Sequence, residues 1–201
     1  MIPDLSRELD RRMAHARAWD DVVAEVRRLD GFADFLRPPR LADLLPAAAG
    51  GPVVVVNVGS GRCDALIVRT GGVEILELPD LHRDDVLDQV GRHLSALGAL
   101  GPDRDLAPRW DTEPGPDGLR DVARWMWDAF AGRILEHLGH TATPAGDAWP
   151  RLWWCPTGAL TLLPLHAAGR PGGDGDAVID RVVSSYTPTL RALLDARSVG
   201  V

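Results

Sequence analysis

Apolar positions in residues 4–30 recur at three- and four-residue spacing, through Leu5, Leu9, Met13, Ala16, Trp19, Val22, Val23, Val26 and Leu29. That period predicts one amphipathic helix, and Gly31 stands where such a helix ends. Pro38-Pro39 then breaks the chain before a short apolar turn at residues 41–45. From Val53 to Val58 the pattern changes to an apolar run on both faces, which reads as an interior strand. A second strand is predicted at residues 63–69. Thr70-Gly71-Gly72 turns it back into a third, at residues 73–78.

Helical periodicity returns at residues 83–97 through Val86, Leu87, Val90, Leu94 and Leu97, with Asp84 and Asp85 in the first turn, where the helix dipole favours them. A Pro-rich connection spans residues 98–117, and a third helix is predicted at residues 119–138, ended by Gly139. Residues 151–155 read as a strand, Pro156-Thr157-Gly158 as a turn, and residues 159–163 as the return strand of a hairpin. Residues 178–186 read as a further strand, and Thr187-Pro188 as the start of a last helix. The expected architecture is α/β. A helical arm, residues 1–50, precedes a mixed sheet layer with flanking helices, residues 51–201.

Composition narrows the chemistry. The chain has 201 residues, 45% of them hydrophobic and 25% charged, as in ordinary globular proteins. A net charge of −7 argues against a nucleic-acid partner. No apolar run reaches the roughly 20 residues that span a bilayer, and the first residues lack a signal-peptide core. Two cysteines are too few for a disulfide framework and read as reduced thiols, so the cytoplasm is the expected compartment. All 22 cationic side chains are arginine, which excludes a phosphate-loop lysine, a Schiff base and a lysine general base.

Four constellations could carry chemistry, and each has a plainer reading. Gly59-Ser60-Gly61 lacks the third glycine and the following helix of a dinucleotide fingerprint, so it reads as a tight turn. His137 and His140 have the spacing of a metal pair but straddle a helix end, so no metal is expected there. Asp174-Gly175-Asp176 lacks the remaining oxygen ligands of a calcium loop. Cys155 and His166 flank the predicted hairpin and could form a thiolate–imidazole dyad. The apolar neighbours Trp153-Trp154 instead favour a buried structural thiol. No cofactor is expected. Trp125 and Trp127 cannot share one helix face, and Trp153 and Trp154 point to opposite faces of a strand, so these rings pack a core or meet a partner.

The stretch from Arg151 to Gly169, Arg-Leu-Trp-Trp-Cys-Pro-Thr-Gly-Ala-Leu-Thr-Leu-Leu-Pro-Leu-His-Ala-Ala-Gly, resembles the central signature of CHAT domains, caspase-like domains often found behind TPR repeats. Asp30-Gly31-Phe32-Ala33-Asp34-Phe35-Leu36-Arg37-Pro38-Pro39 resembles the segment before that family's first strand. Residues 51–58 with 63–68 resemble its first hairpin, and residues 184–193 the segment just before its catalytic half. The resemblance implies a cysteine peptidase mechanism, carried by a His-Gly and a later Ala-Cys. Neither dipeptide occurs in this chain: His166 precedes Ala167, and Trp154 precedes Cys155. No catalytic role transfers to any residue here. The implied identity is the noncatalytic N-terminal portion of a CHAT-like domain, incomplete and inert alone, with a peptidase half or TPR-type repeats as its protein partner. A freestanding protein-interaction module is the alternative, and a thiol enzyme using Cys155 a third reading.

Overall fold

The structure, a computed structural model, describes residues 5–100, 118–170, 172 and 175–198. The chain divides into two compact units, Met1–Arg40 and Leu41–Val201. In the first unit, helix α1 (Leu5–Val26) confirms the arm helix but ends four residues short of the predicted limit. Turns follow, closed by Arg27 Nε donating to Phe35 O at 2.8 Å and by an edge contact between the Phe32 and Phe35 rings.

The second unit is built on a five-stranded mixed sheet. Its strands are β1 (Val53–Val58), β2 (Cys63–Arg69), β3 (Gly72–Glu77), β4 (Arg151–Pro156) and β5 (Val183–Tyr186), in the order β3-β2-β1-β4-β5. The first three form an antiparallel meander, whereas β4 runs parallel to β1 and β5 parallel to β4. The valine run of β1 is thus central, as its apolarity on both faces predicts. At the start of that pairing Gly51 adopts φ +126°, and a Cβ there would meet Arg151 O. Glycine is what lets the two backbones approach.

Period-two alternation sorts side chains between the two sheet faces. Val54, Val56, Ala65, Ile67, Leu152 and Trp154 build the larger core with the helices α3 (Arg83–Leu100), α4 (Gly118–Met126) and α5 (Gly132–His137). Trp154, Phe130, Leu152, Leu160 and Leu165 are fully buried there. A smaller core on the opposite face joins Val53, Val68 and Cys155 to Leu193 of α6 (Leu190–Ser198) and to Ala47 and Ala48. Those two alanines follow the short α2 (Leu41–Leu44), so residues 41–48 pack with the sheet.

Between α4 and α5 the helix widens into a π-turn, Trp127–Ala131. The extra residue lets consecutive large positions, Met126 and Trp127, both be buried. Gly132 leaves room for the Trp127 ring, since a Cβ there would lie 3.2 Å from it. The helix ends as expected at Gly139, φ +81°, with His140 N donating to Leu135 O and Gly139 N to Glu136 O. This is the Schellman arrangement.

Three sequence expectations are corrected. Residues 159–163 are not a return strand. A 3-10 turn occupies Gly158–Leu162, pinned by Thr161 Oγ1 donating to Gly158 O at 2.7 Å. Of residues 178–186 only Val183–Tyr186 is strand, because Val178–Asp180 winds into a 3-10 turn held by Val182 N donating to Val178 O. The last helix is capped by Thr189, whose Oγ1 accepts from Ala192 N at 3.0 Å, and not by Thr187. Thr187 Oγ1 instead donates to Thr189 O. Residues 101–117, including Trp110 and most of the Pro-rich connection, lie outside the described residues.

Candidate functional site

In open α/β sheets, ligands bind beyond the carboxyl ends of the parallel strands. Here that end gathers Thr157 after β4, Tyr186 at the end of β5, and His166. The parallel pairing places Trp154 beside Tyr186 and Trp153 beside Ser185. Tyr186 therefore points to the same face as Trp154, and so does Ser184, which accepts from Trp154 Nε1 at 3.2 Å. The backbone N–H of His166 donates to the Tyr186 hydroxyl at 2.9 Å, and His166 Nδ1 lies 2.9 Å from the same oxygen. Which of the two donates in the contact between Nδ1 and the hydroxyl depends on the imidazole tautomer. Burial pushes the phenol above its ordinary range.

Cys155 lies on the other face of the sheet. It is buried in the smaller core, and its thiol donates to Pro188 O at 3.5 Å. Burial pushes the thiol upward, away from the thiolate a nucleophile needs. Cys155 and His166 thus make separate hydrogen bonds on opposite sides of β4. The proposed hairpin that would have joined them is absent, because residues 158–162 form a 3-10 turn. The sequence signal for this separation was the Trp-Trp-Cys alternation itself, since Trp154 and Cys155 must face opposite ways.

The remaining constellations also resolve locally. Gly59-Ser60-Gly61 is the β1–β2 turn, closed by Gly59 N donating to Arg62 O at 3.2 Å. It borders a cleft of about 560 Å³ lined by Arg62, Cys63, Glu77, His82 and Arg83. The Arg62 charge there is met by Asp64 at 3.0 Å and Glu77 at 3.5 Å. His137 Nε2 lies 2.9 Å from Glu74 Oε2, while burial, aided by the Arg69 charge, pushes His140 below the usual imidazole range. Among the described residues no group of histidine, cysteine and carboxylate side chains could hold a metal ion. Asp174 lies outside the described residues, and Asp176 pairs with Arg181 at 3.1 Å.

Arg181 was not singled out from the sequence. It is buried, donates to Gly175 O at 2.6 Å and to His140 O at 3.3 Å, and stacks 4.7 Å from the Trp127 ring centroid. Its position between Val178 and Val182 was the available signal. Trp153 is likewise flanked by two guanidinium groups, Arg151 at 5.9 Å and Arg197 at 5.4 Å. Trp125, half-buried, packs its edge on Phe130. Trp125, Trp127 and Trp153, like Trp154, thus each have a packing or hydrogen-bond partner within the chain.

A mixed α/β layer with an intact sheet and no joined thiol–imidazole pair among the described residues is the class that fold and site define. The family model for the CHAT domain matches residues 120–200. The match takes in α4, α5, β4, β5 and α6 but not the antiparallel meander. No curated protein matches the chain. No described helix is long and apolar enough to cross a membrane.

Proposed function

We propose that this chain is the noncatalytic part of a caspase-like cysteine peptidase, inert by itself, which scaffolds or regulates a half that carries the His-Gly and Ala-Cys residues. The observation that carries this reading is the β5 edge. Val183 N donates to Pro150 O and Thr187 N to Trp154 O, so the intervening alternation turns the amides of Ser184 and Tyr186 away from β4. Those amides are available to a further strand, and Val183 and Tyr186 beside them are exposed. The CHAT match across this segment and the separation of Cys155 from His166 support the same reading.

Co-expression with a caspase-like segment bearing both dipeptides tests it. The expected product is a stable complex in which a peptidyl fluoromethyl ketone labels the partner's cysteine, while Cys155 takes no label. In this chain alone, Cys155 should alkylate with iodoacetamide at neutral pH more slowly than a free thiol, because its raised pKa lowers the thiolate fraction. Failure of the two segments to co-elute would remove the scaffold reading. Rapid labelling of Cys155 would revive the thiol enzyme.

A further inference from the structure

Strand β5 is the outer strand beside β4. Arg151 is in register with Val183 and Trp153 with Ser185, so these four side chains share one face of the pair. Arg151 is exposed and leans across that face toward the edge, where its Nη1 donates to Ser185 Oγ. Its guanidinium lies 5.9 Å from the Trp153 ring centroid, and that of Arg197 lies 5.4 Å from the same centroid. Arg197 bonds inward, to Pro46 O and Ala47 O. The indole Nε1 of Trp153 is a further donor on this face, buried and without an acceptor. The strands of the sheet contain two arginines, and they differ. Arg69 holds Glu74 at 2.9 Å, whereas among the described residues Arg151 forms no ion pair. Donors without a carboxylate thus gather at one sheet edge of a chain whose net charge is −7.

We propose that the segment pairing with β5 is an extended strand of another polypeptide that carries a glutamate or aspartate opposite Ser185, between two uncharged residues, and that Arg151 selects it. The proposal rests on the reading of β5 as the docking edge and adds the chemistry of what docks there. In either strand direction the residue opposite Ser185 lies on the Ser185 face, its Cβ about 4.5–5.5 Å from that of Ser185. A carboxylate at that position meets a guanidinium already held against Ser185, and the planar fork of arginine suits it. The residues on either side turn to the opposite face, beside Ser184 and Tyr186, where β5 carries no charge. A lysine opposite Ser185 sets like charge against Arg151, so the same side chain that favours acidic segments rejects basic ones.

Amide NMR of the nitrogen-labelled full chain, titrated with blocked pentapeptides that differ only at the centre, is the test. The probes are acetyl-Thr-Val-Glu-Val-Thr-amide and its counterparts with Ser or Lys in the middle. The Glu peptide should move the Ser184 and Tyr186 amide signals and bind about fivefold tighter than the Ser peptide, with the Lys peptide weaker again. That preference should shrink as salt rises. In Arg151→Gln the Glu and Ser peptides should bind alike. In Arg151→Glu the order should invert, with Lys the tightest, an outcome that misfolding of the variant does not produce. Equal binding of the three peptides to the native chain, or a preference for Glu that survives in Arg151→Gln, would overturn the proposal and leave β5 as a docking edge. Ser184 and Tyr186 amides unmoved by every peptide would overturn both.

Discussion

On one side of the sheet β3 carries Glu74 and Glu77, and three basic groups are spent on them. Arg69 pairs with Glu74 at 2.9 Å, His137 holds its other oxygen, and Arg62 reaches Glu77. Arg133 adds a hydrogen bond to Glu77 O at 3.0 Å, which occupies a backbone acceptor at the strand's end. On the other side β5 reads Val-Ser-Ser-Tyr, with no charge in four residues and with outward amides at Ser184 and Tyr186. Charged side chains on an edge strand discourage pairing with another chain, and an uncharged edge invites it. The two edges therefore differ in chemistry: β3 carries paired charges along its length, and β5 carries none.

Removing the anchor of β5 should produce the largest effect. Trp154→Ala deletes a fully buried ring and its bond to Ser184, and should cost about 3–5 kcal/mol in urea unfolding. Amide exchange should then accelerate in β5 before β3. Equal loss of protection at both edges would break the comparison, because β5 would then not depend on this ring. Thr189→Ala removes the cap of α6, the helix that follows β5. About 1 kcal/mol should be lost, read as a lower melting temperature. Substitution of Thr187 by Ala should cost less if the cap is assigned correctly.

The smallest expected effect lies on β3. The His137 hydrogen bond, then the Arg69 charge, hold Glu74 below the ordinary carboxylate range. A carboxyl lowered in the folded state adds stability above its unfolded pKa, and that contribution fades as pH falls through the folded value. Glu74→Gln should therefore lower the melting temperature slightly at neutral pH and leave it nearly unchanged in acid. A difference between the two proteins that grows toward acid would contradict this assignment.

The sequence made β1, the β2–β3 hairpin, α3 and the long α4–α5 helix legible because each repeats its period over six residues or more. Residues 159–163 did not yield in the same way. A five-residue apolar run fits a strand or a turn of 3-10 helix equally, and the decision rests on Thr161 bonding back to Gly158. Thr187 and Thr189 both have capping chemistry. Only the register of β5 on β4, with Thr187 N still bonded to Trp154 O, shows that the strand's ladder runs too far for Thr187 to cap. At the candidate site, the alternation of Trp153, Trp154 and Cys155 was visible, but the pairing of His166 with Tyr186 was not, since the two are brought together by the 3-10 turn of Leu165–Ala167 against the end of β5.

The mixed sheet also sets a schedule for synthesis. Strand β1 meets β2 across a four-residue turn, but its parallel neighbour is Val53 against Trp153, a hundred positions later. At about 5–20 residues per second, the valine-rich flank of β1 waits on the ribosome for roughly 5–20 s before β4 emerges to cover it. During that interval a nascent chain carries an apolar, uncharged strand with one bare side, the kind of segment that chaperones shield.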